Sequence, residues 1–217
     1  MATHLDLEEQ EQLDQLKAFW KQYGNWITWA LIAALGAFAA HSAWQWWQRD
    51  QAMRAAAIYD ALDRAADNGD AATASRVFDD LKSRYPRTAF AQQGGLLAAK
   101  AQFDKGQIAP ARDALAWVRD HAGDPAYQTI ARLRLAGILL DDKKYDEALA
   151  QLAAADAKEF AGLVADRRGD VLAAMGRKDQ AKQAYAEARK AVDAKLDYRR
   201  LIDAKLTALG AVPEKPL

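Results

Sequence analysis

From Gln22 to Gln48 the chain carries no Asp, Glu, Lys or Arg, and this run of 27 residues constrains the fold more than any other feature. Its centre, Ile27-Thr-Trp-Ala-Leu-Ile-Ala-Ala-Leu-Gly-Ala-Phe-Ala-Ala40, is apolar on every side of a helix. From Trp26 to Trp47 such a helix rises about 32 Å, close to the ~30 Å hydrocarbon core of a bilayer. Six of the seven tryptophans lie between residues 20 and 47. Trp26 and Trp29 stand at one end, with Trp44, Trp46 and Trp47 at the other, in the places where aromatic belts meet the two interfaces. The segment therefore reads as a transmembrane helix over residues 25–48. A cleaved signal peptide competes poorly, because residues 1–21 hold five acids against Lys17 and Lys21 and so lack a basic leader. Cleavage after Ala37-Phe38-Ala39 is the form it would take, giving a secreted protein. Lys17 and Lys21 on one side balance Arg49 and Arg54 on the other, so charge leaves the orientation open.

Residues 1–24 ahead of the span read as an acidic amphipathic segment. Asp6 is placed to cap a helix over residues 6–23, with Glu9 at the capping-box position. Leu13, Leu16, Trp20 and Tyr23 follow at i, i+3, i+7 and i+10 and form one apolar stripe. That stripe either rests on the lipid interface or docks on a membrane partner.

After Arg49 the pattern changes. The chain becomes rich in Ala and other helix formers, without the alternation that marks strands. Breakers recur at Asn68-Gly69-Asp70, Tyr85-Pro86-Arg87, Lys105-Gly106-Gln107, Gly123-Asp124-Pro125, Asp141 to Lys144 and Met175-Gly176-Arg177. Each interval between them is expected to be one helix, packed in antiparallel pairs. Asp124 before Pro125, and Thr88 after Pro86, are helix-capping patterns. Aligning the turns places Ala74, Ala111, Ala148 and Ala181 at equivalent positions, spaced 37, 37 and 33 residues. Four residues after each stands a bulky side chain, Phe78, Leu115, Leu152 and Tyr185. Small residues recurring at this period fit the tetratricopeptide repeat (TPR), of about 34 residues, where helices cross closely. The units are degenerate, and Lys143 stands where the other turns have glycine. The expected fold is all-α: a single N-terminal transmembrane helix followed by a TPR-like helical-repeat solenoid over 49–210, with a tail over 211–217.

Composition removes most chemistry. There is no cysteine, and the three histidines, His4, His41 and His121, are scattered. No phosphate loop, nucleophile elbow or zinc-binding helix occurs. His121 reads as a helix-end residue, and His41 lies near one end of the span, within reach of headgroups. Asp79-Asp80 and Asp141-Asp142 are explained by solvation. No cofactor, metal site or enzymatic activity is expected. Thirty basic residues balance thirty acidic ones, and the part from Arg49 onward carries 28 against 25, too mild an excess to capture nucleic acid. What a TPR stack offers is a concave groove lined by the first helix of each pair. The alanine register places Tyr59, Asp63, Gln93, Lys100, Phe103, Leu140, Asp166 and Asp170 on that groove. The mixture suits an extended or unfolded polypeptide, or a partner's loop.

The run from Glu9 through Gly24, its passage into the span, Trp44-Gln45-Trp46-Trp47, Tyr85-Pro86-Arg87-Thr88-Ala89-Phe90-Ala91 and Ala131-Arg132-Leu133-Arg134-Leu135-Ala136 together carry a likeness. The chain resembles the YfgM family of proteobacterial inner-membrane proteins, ancillary subunits of the SecYEG translocon, over nearly its full length. The resemblance implies a single-pass inner-membrane protein with a cytoplasmic N-terminus and a periplasmic repeat domain. It implies SecYEG as partner, with a PpiD-like periplasmic chaperone as neighbour, and a role in passing translocated chains to such chaperones. The alternative from a different class is a membrane-tethered regulatory or structural scaffold that sequesters a folded partner.

Overall fold

A computed structural model describes residues 7–193 and 195–211, with residues 7–10 as backbone alone. The cap expected at Asp6, and the tail from residue 212 onward, lie outside the described residues. Among them are nine α-helices, one 3₁₀ turn and no strand. The chain divides into two compact units after Asp50.

Helix α1 (Leu7–Asp67) contributes to both units. In the first unit it differs from the expected short helix followed by a separate span, because it runs through Gly24 without interruption. The Trp20 indole covers Gly24, and the Thr28 hydroxyl donates to the Gly24 carbonyl at 2.8 Å. A glycine weakens a helix by only about 1 kcal/mol, and flanking turns that satisfy every backbone group carry it. Residues 28–49 are all exposed, with Trp26 at 78% and Phe38 at 70%. A helix that turns Trp, Leu, Ile and Phe outward on every side is solvated by lipid rather than by water. The segment is long and apolar enough to cross a membrane, and none of its apolar window is buried in the structure. Ring pairs mark its flanks, Phe19–Tyr23 at 5.1 Å and Trp44–Trp47 at 5.2 Å between centroids.

In the second unit the end of α1 is followed by α2 (Ala71–Arg84), α3 (Ala89–Asp104), α4 (Ile108–His121), α5 (Pro125–Asp141) and α6 (Tyr145–Ala153). A 3₁₀ turn (Lys158–Phe160) leads into α7 (Ala161–Ala174), then α8 (Lys178–Ala191) and α9 (Asp197–Ala208). Two intervals expected to be single helices are each split in two. The breaks, at Ala154–Ala157 and Val192–Leu196, contain neither Gly nor Pro. At the first, the Ala157 N–H leaves the helical ladder for the Thr129 hydroxyl at 3.3 Å. At the second, the Asp193 carboxylate accepts from the Lys195 N–H at 2.9 Å.

One turn geometry repeats through this unit. Gly69, Gly106, Lys143, Gly176 and Gly210 all have positive φ, between 60° and 79°. After each, the next N–H reaches back to a carbonyl five residues earlier: Asp70 to Ala65, Gln107 to Gln102, Lys144 to Leu139, Arg177 to Leu172 and Ala211 to Leu206. Each is a Schellman helix end. The fifth, after α9, shows that α9 is a further first-type helix standing beyond the fourth pair.

The alanine register is also the packing register. Ala74, Ala111, Ala148 and Ala181 are fully buried, and Phe78, Leu115, Leu152 and Tyr185 nearly so. Small residues face the bulky ones: a side chain on Gly169 would overlap the Tyr185 ring. The largest core cluster joins Leu62, Phe78, Leu96, Leu115, Val118 and Leu135, so helices from α1 to α5 share one apolar interior. A second, around Ala184, Tyr185, Ile202 and Leu206, fastens α8 to α9. Thr88, Asp70 and Asp124 cap α3, α2 and α5 through their side chains. His121 sits in the last turn of α4, with Nδ1 3.0 Å from the Trp117 carbonyl and its ring stacked on Trp117.

Candidate binding cavity

The first-type helices α3, α5 and α7 stand side by side and enclose a cleft of about 570 Å³ within the second unit. Its walls are mainly apolar. α3 supplies Ala99 and Phe103, α5 supplies Ile130, Leu133 and Ile138, and α7 supplies Leu163. Phe103 is 44% exposed and Leu163 37% exposed, so the cleft leaves large apolar groups in water. Tyr198 of α9 and Phe160 of the 3₁₀ turn also line it.

Four charged residues complete the lining, Lys100, Arg134, Asp141 and Arg167. Lys100 pairs with Asp104 one turn along α3. Arg167 lies 3.9 Å from Asp170. Arg134 is exposed and donates from Nη1 to the Leu96 carbonyl at 2.8 Å, and desolvation by the surrounding protein lowers the guanidinium's pKa. Gly137, one turn beyond Arg134 on α5, lies beside the Arg167 side chain. A Cβ there would stand 3.7 Å from Arg167 Nη1.

The eight residues expected on a groove are distributed as follows. Lys100 and Phe103 line the cleft. Leu140 is turned a step away on α5, and packs against the cluster of Ala136, Leu139, Ala148, Leu152 and Val171. Tyr59 is half-buried, with its ring 5.6 Å from that of Phe90. Burial, and then the Asp63 carboxylate, raise the Tyr59 pKa. Asp63 itself is exposed on α1. Gln93 donates to the Tyr127 hydroxyl at 2.7 Å.

Asp166 and Asp170 belong to a polar knot between α7, α8 and α9. Tyr198 donates to Asp166 at 2.6 Å and Tyr185 to Asp170 at 2.9 Å, while Lys205 Nζ reaches both carboxylates at 2.7 Å. Asp166 is buried. Burial first, and the neighbouring carboxylates next, push the Tyr185 and Tyr198 hydroxyls well above the usual phenol range.

The register missed the cleft residues on α5 and α7 by one position. Leu140 and Asp166 were expected where Asp141 and Arg167 stand, a rotation of about 100° on a helix. The available signal was the run Ile130, Arg134, Gly137 and Asp141, spaced i, i+4, i+7 and i+11 on one face. Among the described residues, no three His, Asp or Glu side chains converge where they could hold a metal ion.

The model of the tetratricopeptide repeat-like domain family matches residues 17–211. A curated protein of Neisseria gonorrhoeae named ancillary SecYEG translocon subunit is 33% identical over 96% of this chain and all of its own length. A protein of the same name from Haemophilus influenzae is 27% identical, over 84% of this chain and 89% of its own. No solved structure matches the chain significantly.

Proposed function

The chain belongs to the YfgM family of tetratricopeptide repeat-like proteins, and from that premise we propose that it serves as an ancillary subunit of the SecYEG translocon. Residues 25–48 hold it in the inner membrane as a single-pass protein, with residues 1–24 cytoplasmic and the repeats over 49–210 in the periplasm. The repeats take hold of extended polypeptide leaving the translocon and pass it to a neighbouring PpiD-like chaperone.

The observation that carries this reading is the cleft between α3, α5 and α7, where Phe103 and Leu163 are held open to solvent. Folded monomers seldom expose convergent apolar side chains without a partner for them. Tethering explains how a shallow site can suffice, since confinement beside another complex raises the effective concentration to about the millimolar range.

Sidedness is tested with single cysteines at Thr3 and Lys178, probed in intact cells with a membrane-impermeant maleimide. The chain has no native cysteine, so labelling is unambiguous. Labelling at Lys178 but not at Thr3 is expected. The reverse pattern overturns the periplasmic role and favours a cytoplasmic scaffold that sequesters a folded partner. Co-purification of SecYEG, with residues 25–48 replaced by polyleucine, then divides recognition between span and repeats. Retained association places recognition outside the span, in the repeats or the stripe of residues 1–24.

A further inference from the structure

Three cations and one carboxylate line the cleft, but the cations are not equivalent. Lys100 has Asp104, and Arg167 has Asp170, each on its own helix. Arg134 has no carboxylate partner among the described residues. One of its five N–H donors is used, on the Leu96 carbonyl, and the side chain is exposed, so the others remain open to a ligand entering the cleft. A second guanidinium, that of Arg167, lies beside Gly137 of α5, one turn away. Asp104, Asp170 and the lining Asp141 offset the other charges, so Arg134 is the cleft cation left to meet a carboxylate brought by a ligand.

Resting on the reading of this cleft as a site for extended chains, we propose that it selects segments in which an Asp or Glu side chain stands beside a large apolar one. The carboxylate docks on Arg134, whose planar fork donates two parallel hydrogen bonds to it. The apolar side chain lies against Phe103 and Leu163. One unpaired cation matches one carboxylate, and the apolar walls offer nothing to a polyphosphate backbone. The site is thus a filter on composition rather than a sequence reader, which fits a protein that meets many different chains.

The full-length protein in lipid nanodiscs is titrated with an amidated decapeptide carrying Leu-Phe-Glu in a Ser/Gly background and a neutral dye, followed by anisotropy. A second peptide has Gln in place of Glu. The Glu peptide is expected to bind about tenfold more tightly, the usual contribution of a charge-assisted hydrogen bond. Arg134→Gln should bring the two peptides to equal affinity, Arg134→Lys should keep part of the preference, and Phe103→Ser should weaken both alike. Equal binding of the two peptides to the wild-type chain overturns the selectivity while leaving groove binding intact, and needs no protein variant. A Glu preference that persists in Arg134→Gln also overturns it. If a Gln peptide with a free C-terminal carboxylate regains the tenfold, the site reads chain ends and the side-chain assignment fails. Failure of every peptide to bind removes both this inference and the groove reading beneath it.

Discussion

Lys143 occupies a backbone position that the other four Schellman turns give to glycine, with φ at 60°. For a residue with a Cβ the left-handed region costs about 1–2 kcal/mol. Part of that returns as lower backbone entropy in the unfolded chain. Lys143→Gly should therefore stabilise the repeats by about 0.5–1 kcal/mol, read as a higher midpoint of thermal unfolding by circular dichroism. An unchanged or lower midpoint would mean that the lysine side chain contributes something its geometry does not show. The knot around Lys205 makes a second prediction, in pH. Tyr185 and Tyr198 are held protonated by burial and by Asp170 and Asp166, so their folded pKa lies above the value near 10 of the unfolded chain. Their contribution is complete below about pH 10 and falls as pH rises through the folded pKa, because only the unfolded state releases those protons. Stability should decline on the alkaline side more steeply in the wild type than in Tyr198→Phe. That variant should itself lose about 2 kcal/mol at neutral pH, as the Asp166 carboxylate loses a donor. Arg167, Lys205 and the two carboxylates face both hydroxyls, so tyrosinate absorbance is the readout that isolates the tyrosines.

Helices α2, α4, α6 and α8 are entered by the same turn, yet only α2 has a side-chain cap. Gln107, Lys144 and Arg177 occupy the other cap positions, and a cation there opposes the helix dipole. Arg177→Asp should give α8 both a cap and a favourable charge, stabilising by about 1 kcal/mol. Thr88→Ala should destabilise by a similar amount, since the Ala91 N–H loses its acceptor. Equal unfolding midpoints across the three proteins would contradict both. Much of the element pattern was legible in sequence because turn chemistry is local: Gly69, Gly106, Gly176, Pro86 and Asp124-Pro125 each announce a boundary. The breaks at Ala154–Ala157 and Val192–Leu196 were not, because their cause is tertiary or a single Asx contact. α9 as a fifth first-type helix was legible in principle, since Gly210 follows Gly176 by 34 residues. The cleft was legible only in α3. In α7 the spacing from Ala148 to Ala181 shortens from 37 to 33 residues and shifts the register, and α9 covers Asp166 and Asp170 from the side. The uninterrupted course of α1 through Gly24 was hidden for the opposite reason, since a glycine signal was overridden by the backbone satisfaction of its neighbours.

The mean hydropathy of the chain, −0.34, is that of a water-soluble protein, and conceals a segment that is apolar on all faces beside a repeat unit that is polar outside. The two parts solve different problems. The first needs only to satisfy its backbone in lipid, while the second must bury small and bulky side chains against sequence neighbours. Each repeat touches mainly the next, so stability within the second unit should be distributed as in other solenoids, with intrinsic and nearest-neighbour contributions. Val118 lies fully buried in the cluster shared by α1 to α5, and Ile202 fully buried where α9 meets α8. Val118→Ala should cost about 2 kcal/mol and Ile202→Ala about 3 kcal/mol locally. Their reach should differ. Native-state hydrogen exchange should show Ile202→Ala accelerating amides of α8 and α9 while α3 to α5 stay protected, because a terminal helix can open alone. Val118→Ala should accelerate α2 to α5 together. Because Tyr198 of α9 lines the cleft, the Ile202 variant should also bind the Leu-Phe-Glu peptide more weakly, without changing its preference over Gln. Uniform acceleration of every helix by either substitution would mean that the repeats open as one cooperative block, and that the cleft cannot be loosened from its end.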